Sequence, residues 1–371
     1  MGCKKPYNPP ATSTTNSYLV VEGVINTQDS TIIKLSRTVN LTSISTTNPV
    51  NDAAVTIESD ANQVLTLSPV SSGYYALGGV TLDNTRKYRL RIKLSTNQEY
   101  LSDFVEVKVT PPIDSLGYAV AGKGVQIYAN THDPKNNTHY YRFDYAETWQ
   151  FHSRYFSAWL SNGTAIVPRT PQQDIYHCFG NDKSSTIVLG SSAKLTQDVL
   201  FQNPITTVDS TSEKVETRYS IIVYEYALTA DAYKFWDNLK KNTEQLGSIF
   251  DAQPSQSTSN IHNTGNAQEP VVGYISACTV QSKRIFIDNT KLPQQWRPAP
   301  IYSCEEDSVF YKAKPNGFNQ VAAYLVPSPF VQIPVDAFYD GGVSPAGFLA
   351  AVNECVDCTL RGTKTQPAFW K

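Results

Sequence analysis

Residues 86–94 read RKYRLRIKL, and this stretch decides which class of fold the chain can adopt. Apolar side chains at Tyr88, Leu90, Ile92 and Leu94 alternate with basic ones at the positions between them. Successive side chains of a β-strand point to opposite faces. The alternation therefore predicts an antiparallel strand with one buried and one solvated face.

Further short strands are predicted on both sides of this one. FVEVKVTPP (104–112) alternates in the same way and ends at Pro111 and Pro112, which lack the amide hydrogen that a β-ladder needs. Four earlier apolar runs are separated by Asn, Asp, Ser and Gly turns: YLVVEGVI (18–25), STIIKLSR (30–37), AAVTIES (53–59) and QVLTLSP (63–69). About seven short strands within roughly 95 residues predict an immunoglobulin-like β-sandwich over residues 17–112.

The rest of the chain, residues 113–371, is predicted to be a larger β domain with one packed α-helix. HYYRFDYAETWQF (139–151) and RYSIIVYEYAL (218–228) are strands rich in aromatic residues. The helix is predicted over residues 230–246, because Thr229 is a suitable N-cap and the apolar residues at 232, 235, 236 and 239 share one face. The polar stretch 251–270 is predicted to be a functional or binding loop. The Pro- and Gly-rich C-terminal stretch has no predicted regular structure.

The N-terminal segment MGCKKPYNPPATSTTNS (1–17) has the composition of a flexible spacer, with Cys3 near its start. A mature bacterial lipoprotein begins at a cysteine that carries the lipid and is followed by such a tether, and Gly2 is the small residue expected before that cysteine. We therefore expect residues 1–16 to be a lipid anchor and tether, with Cys3 lipidated and Met1-Gly2 in place of a signal segment. Because no apolar run precedes Cys3, an unmodified exposed cysteine is the alternative.

The charge balance disfavours a nucleic-acid partner. The chain has 31 Lys and Arg residues against 33 Asp and Glu residues, a formal net charge of −2, which gives no general attraction to a phosphate backbone. No stretch approaches the roughly 20 consecutive apolar residues that a membrane-spanning helix needs. We therefore expect the chain to reach a membrane through the N-terminal lipid.

Five stretches together resemble a known family: YLVVEGVINTQDSTIIKLSRT (18–38), TPPIDS (110–115), FWDNLKKNTEQLGSIFDAQPSQSTSNIHN (235–263), EPVVGYISACTVQSKRIFI (269–287) and CVDCTLRGTKTQPAFW (355–370). The chain resembles, over nearly its whole length, the Bacteroidota lipoproteins catalogued as domain of unknown function 4249. The resemblance implies that Cys3 is the anchor and that the protein lies at the outer membrane, on the cell surface. It also implies an accessory of a TonB-dependent, SusC-like transporter. Two positions depart from the family pattern: Ser259 stands where glycine is usual, and Cys278 where a small or hydroxyl residue is usual.

The chain has six cysteines, and counting them favours disulfides. If Cys3 carries a lipid, five remain, so one must be a free thiol. Cys278 is expected in that role, because it lies in an alternating strand where a cysteine behaves as a small apolar residue. The four disulfide candidates are Cys178, Cys304, Cys355 and Cys358, and three pairings are open. A bridge from the tail to the body would stabilise more than an adjacent Cys355–Cys358 bridge, because it closes a longer loop.

The Cys-x-x-Cys pair at 355 and 358 has two rival interpretations. A thioredoxin-like redox site needs such a pair at a helix N-terminus after a strand, whereas this tail is predicted to be coil. A zinc site needs four ligands with local spacing, and the five histidines form no such motif. We therefore expect structural disulfides, no metal and no cofactor.

An enzyme is the second functional hypothesis. Asp144, Glu147 and Glu225 lie on aromatic strands and could supply the two carboxyl groups of a glycosidase, which must be about 5 to 9 Å apart. The sequence contains no nucleophile elbow, zinc-protease helix or phosphate loop. Aromatic strands of this kind form a core or a sugar-stacking face, and Tyr140 and Trp149 are the candidate ligand-facing aromatics.

The leading expectation is a non-enzymatic accessory that helps a transporter capture or admit a nutrient. A surface glycan or peptide hydrolase is one alternative, and a surface adhesin or structural module is the other.

Overall fold

The structure, a computed structural model, describes residues 17–39, 47–244, 259–327 and 332–370. The predicted anchor and tether with Cys3, the end of the predicted helix beyond residue 244 and the first part of the 251–270 loop lie outside these ranges.

The first unit is built around the stretch RKYRLRIKL. Its strands are β1 (Leu19–Asn26), β2 (Thr31–Arg37), β3 (Ala54–Ser59), β4 (Val64–Ser71), β5 (Tyr74–Leu77), β6 (Lys87–Lys93), β7 (Glu99–Ser102) and β8 (Val105–Lys108). Tyr88, Leu90 and Ile92 of β6 are each no more than 1% exposed, which confirms the predicted buried face. β6 pairs antiparallel with β3 and β7. Because β4 pairs with β3 through its first half and with β5 through its second, the strands wrap around one apolar core as a β-sandwich.

The second unit is another β-sandwich. The elements that follow β8 in the chain, not all of which belong to this unit, are β9 (Ile113–Ala121), β10 (Gly124–His132), β11 (Tyr140–His152), β12 (Trp159–Ser161), β13 (Ile166–Pro168), β14 (His177–Lys183), β15 (Val188–Ser191), β16 (Val199–Asp209), β17 (Arg218–Ala227), α1 (Ala230–Glu244), β18 (Ile261–Asn263), β19 (Ala277–Cys278) and β20 (Val280–Asp288). One sheet has the order β16-β10-β9, and the other has the order β14-β11-β17-β20, with β15 beside β11. Ile127, Phe143 and Ile221 are fully buried between the two sheets. The mainly β class with an N-terminal sandwich is therefore confirmed.

β18 and β19 belong to the first sandwich, although they come late in the chain. β18 pairs with β7, and β19 lies between β1 and β8, parallel to both. Ile261, Val271 and Ile275 are buried in the first core. The sequence prediction assigned all of residues 113–371 to the second domain. The structure instead places residues 261–278 in the first sandwich, where they fill the gap between β1 and β8.

Two of the connections between the sandwiches run side by side, namely the one after β8 and the one after β19. Thr110 N donates to Thr279 Oγ1 at 2.8 Å, and Thr110 Oγ1 donates to the Thr279 carbonyl. Thr279 N in turn donates to the Lys108 carbonyl at 3.1 Å. Both threonines are buried, so the two connections form one hydrogen-bonded pair.

The helix prediction is confirmed over the described part of α1. Thr229 Oγ1 accepts a hydrogen bond from the Ala232 amide at 3.2 Å, as an N-cap residue does. Ala232 and Phe235 are buried, and the Trp236 ring centroid lies 4.3 Å from the guanidinium carbon of Arg142. The helix therefore packs on the face of β11 that points away from the second core.

The C-terminal stretch is more regular than the sequence predicts. β21 (Asp307–Phe310), β22 (Gln332–Phe338) and β23 (Gly347–Val352) form a three-stranded sheet with β23 in the centre, followed by the short helix α2 (Asn353–Val356). Val309, Phe348 and Ala350 lie in its core. Little of this structure was predictable, because Pro334 argues against a strand in sequence but is tolerated in the edge strand β22, next to a β-bulge.

The four candidate cysteines form two disulfides, Cys178–Cys358 and Cys304–Cys355, each with a Cα–Cα distance of 5.8 Å. An adjacent Cys355–Cys358 bridge is therefore excluded. Cys278 is a buried free thiol, and burial raises its pKa to about 12. The prediction of a coil around the Cys-x-x-Cys pair is corrected, because Cys355 lies in α2 and Cys358 begins a 3₁₀ turn.

The end of the tail lies against the second sandwich. The Trp370 ring centroid is 5.1 Å from that of Phe179 on β14 and 5.5 Å from that of Phe286 on β20. Thr363 and Phe179 exchange two backbone hydrogen bonds of 2.8 and 3.0 Å. The tail thus covers the face of this sheet that is turned away from β10.

Candidate functional site

A groove of about 780 Å³ opens where the second sandwich meets the tail. Its lining comes from four places: the end of β11 (152–154), the turn after β16 (210–216), most of the segment 289–304, and Glu354 and Arg361 of the tail. Small-molecule sites commonly measure about 300 to 1,000 Å³. The groove is therefore large enough for a ligand.

The base of the groove holds an ion pair between Glu213 and Arg361. Glu213 Oε2 pairs with Arg361 Nη1, and Glu213 Oε1 accepts a hydrogen bond from Trp149 Nε1 at 3.1 Å. Arg361 Nη2 donates to the His152 carbonyl at 3.2 Å, and its guanidinium carbon lies 4.3 Å from the centre of the Phe151 ring. Burial lowers the pKa of Arg361. Both charges are held in place by neighbours, and they compensate each other.

His152 and Glu216 form a second polar pair in the groove. The His152 amide donates to Glu216 Oε2 at 3.1 Å, and His152 Nε2 lies 3.5 Å from Glu216 Oε1. His152 Nδ1 is 2.7 Å from the Ser153 carbonyl, which can only accept, so Nδ1 carries a proton. A neutral His152 would therefore turn a bare Nε2 toward the carboxylate. The contact is favourable when one proton lies on Nε2 or on Glu216.

The surroundings of this pair raise the pKa of Glu216 and orient the ring of His152. Burial raises the pKa of the Glu216 carboxyl, and the nearby His152 opposes that effect. The Tyr176 ring stacks on the His152 ring with centroids 4.8 Å apart, which fixes the imidazole plane. The pair therefore places an oriented imidazole beside a carboxyl group in the groove.

The opposite wall of the groove is the segment 289–304, which contains three prolines and Trp296. Leu292 is buried, and Trp296 is half-buried against the second core. The indole Nε1–H of Trp296 has no hydrogen-bond partner in the part of the chain that the structure describes. The Ala299 amide donates to the Thr211 carbonyl at 2.7 Å, which ties this wall to the turn after β16.

The two disulfides hold the walls of the groove. Cys304 ends the segment 289–304 and is bonded to Cys355, next to Glu354. Cys358, bonded to Cys178 of β14, lies three residues before Arg361. Two covalent links therefore fix the positions of the Trp296 wall and of the Glu213–Arg361 pair.

The predicted ligand-facing aromatics do not line the groove. Tyr140 lies under α1, with its ring centroid 4.9 Å from that of Tyr233. Trp149 is covered by Lys214, whose Nζ lies 5.1 Å from the ring centre, and it reaches the site only through its bond to Glu213. Trp149 thus holds Glu213 in position without lining the groove itself. Tyr140 packs against α1.

The predicted carboxylates are not brought together as a glycosidase pair. Glu225 lies opposite Phe143, and Glu147 is four residues further along β11, about 13 Å away at the usual rise of a strand. Glu147 binds Lys214 and Tyr219, at 2.5 and 2.6 Å. Asp144 points to the other face of the sheet. The required separation of about 5 to 9 Å is not met.

The groove residues carry no motif that sequence reasoning could have recognised. His152 follows the predicted aromatic strand directly, but Glu213, Glu216 and Arg361 reach it from distant parts of the chain. The wall around Trp296 belongs to a Pro-rich stretch for which no structure was predicted. Only contacts between distant residues create the site.

Two kinds of feature are absent from the described ranges. No group of three or more His, Cys, Asp and Glu side chains there is arranged to hold a metal ion. No helix among those residues is long and apolar enough to cross a membrane.

Among the solved structures that resemble this chain are two with low sequence identity and low TM-scores. A two-domain fibronectin type III segment of chicken tenascin is 9% identical, covers 57% of this chain and 93% of its own, and has a TM-score of 0.17. A putative carbohydrate binding protein from Bacteroides uniformis is 10% identical, covers 58% of this chain and 91% of its own, and has a TM-score of 0.16. Similarities this weak carry no inference for this chain.

Comparison with families is decisive. No curated protein matches the chain. The model of the family described as "Domain of unknown function (DUF4249)" matches residues 4–284, a span that includes the whole first sandwich and nearly all of the second. The chain therefore belongs to the DUF4249 family.

Proposed function

We propose that the protein is a Bacteroidota outer-membrane lipoprotein that binds a nutrient in its groove and passes it, unaltered, to a TonB-dependent, SusC-like transporter. The observation that carries this proposal is the pairing of charges in the groove. Glu213 is paired with Arg361, and Glu216 with His152. The one cysteine in the lining, Cys304, is in a disulfide. These paired groups support ligand binding, because each of them already has a protein partner.

The location and the partner in this proposal rest on the sequence. The anchor is a lipid on Cys3, which lies outside the described residues, followed by the spacer composition of residues 4–16. The transporter is the partner implied by the resemblance to the family's lipoproteins. The groove gives that partnership a physical purpose, because a surface protein with a ligand site raises the local ligand concentration at a transporter entrance.

Crosslinking in the native membrane tests the partnership. We expect the protein, after brief crosslinking and extraction in mild detergent, to purify together with a transporter β-barrel that mass spectrometry identifies. Cys3→Ser is the control, and we expect it to leave the membrane fraction and to lose the transporter. If the membrane-bound protein is recovered in good yield without any transporter, the proposal fails.

A hydrolase is a second candidate, because the His152–Glu216 pair has the form of a general acid or base. The test is incubation of the purified protein with glycan and peptide mixtures, followed by mass spectrometry of the products. Cleavage that Glu216→Gln abolishes would favour the enzyme. Intact substrates after prolonged incubation would favour binding alone.

A further inference from the structure

We infer that the ligand of the groove is a neutral saccharide, bound with one sugar ring against Trp296. This inference rests on the proposed function of the groove as a ligand-capture site, and it adds the chemical class of the ligand. It follows from three properties of the lining: charges that cancel, an aromatic face with a free donor, and a wall that cannot pair with a peptide.

The charges inside the groove are paired, and the exposed charges at its rim, on Arg154, Arg297 and Glu354, leave the lining with equal numbers of arginine and glutamate side chains. The Glu213 carboxylate faces Arg361, and the Glu216 carboxylate faces His152. A charged ligand group placed there would lose its hydration without meeting a free opposite charge, which is costly. A neutral ligand avoids that cost.

The same pairs leave many hydrogen-bonding positions open. Each carboxylate oxygen has two acceptor sites, and Glu213 Oε1 and Oε2 each use one of them for the protein. Asn289 and Gln294 add amide groups to the lining, and the exposed Arg154 adds donors. Closely spaced acceptors and donors without net charge fit a ligand with many hydroxyl groups.

Trp296 supplies the apolar complement of such a ligand. A sugar ring carries C–H groups on its faces and hydroxyls at its edge, so it can stack on an aromatic face while its edge forms hydrogen bonds. The Trp296 indole lines the groove, and its Nε1–H is without a partner in the described part of the chain. Tyr302, which is 40% exposed, adds a second ring to the same wall.

A peptide fits this wall poorly. Extended peptides are commonly held by adding a strand to a sheet edge, which needs a regular series of backbone amides. The wall contains Pro293, Pro298 and Pro300, which have no amide hydrogen. The Arg297 guanidinium is already bonded to the Gln294 and Trp296 carbonyls, at 2.5 and 2.7 Å. A continuous ladder of hydrogen bonds therefore cannot form across residues 293–300.

The test measures the binding of a panel of oligosaccharides to the purified full-length chain. Tryptophan fluorescence and isothermal titration calorimetry report the binding. The panel contains neutral fragments of starch, xylan, mannan and β-glucan, together with uronic-acid oligosaccharides and mixed peptides. We expect at least one neutral oligosaccharide to bind. We also expect its affinity to change less than twofold between low and high salt, because no ionic contact is made.

Variants locate the site. Trp296→Ala should weaken that binding at least tenfold, and the milder Trp296→Phe should retain most of it if folding is intact. Tyr339→Ala is the matched control, because Tyr339 is an exposed aromatic residue that does not line the groove, and its affinity should equal that of the wild type.

Three results would overturn the inference: no neutral oligosaccharide binds, only the acidic sugars or peptides bind, or binding survives Trp296→Ala unchanged. The first of these would leave the transporter partnership standing if crosslinking still recovers the β-barrel. Saccharide binding without any transporter would instead contradict the partnership and keep the ligand class.

Discussion

Glu225 is the most unusual single residue of the second sandwich, because it is a carboxyl group without any exposed surface. Thr131 Oγ1 donates to its Oε1 at 2.9 Å, while Oε2 has no hydrogen-bond partner within the described ranges. Burial raises the pKa of Glu225 to about 8, and the nearby Asp114 and Asp198 act in the same direction. At neutral pH this side chain is therefore mainly protonated in the folded protein.

We expect Glu225→Gln to flatten the dependence of stability on pH. An unfolded chain loses this proton near pH 4.5, whereas the folded chain keeps it to about pH 8. The raised pKa stabilises the fold fully below pH 4.5, and that contribution declines as the pH rises toward 8. Between these pH values the free energy of unfolding of the wild type should fall on the order of 5 kcal/mol further than that of the variant. Urea denaturation at several pH values measures the difference.

The control for this prediction is Glu305→Gln, which removes an exposed carboxylate and should follow the wild-type profile. Parallel profiles for the wild type and Glu225→Gln would show that the buried carboxyl does not titrate as expected.

Arg361→Leu should destabilise the fold, because it leaves the carboxylate of Glu213 partly buried without its partner. The expected loss in the free energy of unfolding is about 2–4 kcal/mol, and the double variant Glu213→Gln with Arg361→Leu should recover part of it. Chemical denaturation measures both. Arg297→Leu, on the exposed rim, is the matched control and should cost less than about 1 kcal/mol. An Arg361 variant as stable as this control would contradict the compensating role of the pair.

Among the elements, those with a strong local pattern were predictable from sequence. RKYRLRIKL alternates strictly and forms β6, and α1 has its N-cap and its apolar stripe within one continuous segment of sequence. β22 and β23 were missed, because Pro334 and the surrounding glycines hide strands whose partners lie in the same small sheet. The local sequence pattern therefore predicted whether many segments are strands or helices. It did not predict which strands pair with β18 and β19.

The disulfide between α2 and the segment 289–304 gives an element-level prediction. The double variant Cys304→Ala with Cys355→Ala should lower the free energy of unfolding by about 2–4 kcal/mol, because it opens a loop of 51 residues. Thermal and urea denaturation under non-reducing conditions measure the loss. Cys278→Ala removes a sulfur that forms no bridge and should cost about 1 kcal/mol. Equal effects of the two changes would argue against a stabilising bridge.

For the whole molecule, the candidate site shows where sequence reasoning ends. The count of cysteines correctly singled out four residues for two bridges, but their pairing and their role as groove supports depend on residues up to 180 positions apart. Tyr140 and Trp149 were chosen for their aromatic character, and the fold turns both away from the groove. Residues that come from distant segments of the chain have no fixed spacing, so they form no sequence motif.

The return of residues 261–278 to the first sandwich predicts how a fragment behaves. Residues 17–112 alone lack β18 and β19, so the facing edges of β1 and β8 and part of the apolar core lie open. We expect this fragment to be unfolded or aggregated. A version in which a short glycine linker adds residues 259–279 should show a cooperative thermal transition by circular dichroism. A cooperative transition in the shorter fragment would contradict this expectation.

The paired connections at Thr110 and Thr279 have a mechanical consequence. Two domains joined by a single segment can rotate about that segment. Two segments that are hydrogen-bonded side by side resist such a rotation. Twisting the sandwiches against each other would break the buried hydrogen bonds between these threonines. A partner that binds the first sandwich would therefore also fix the orientation of the groove in the second. The two sandwiches would then rotate together as one rigid body.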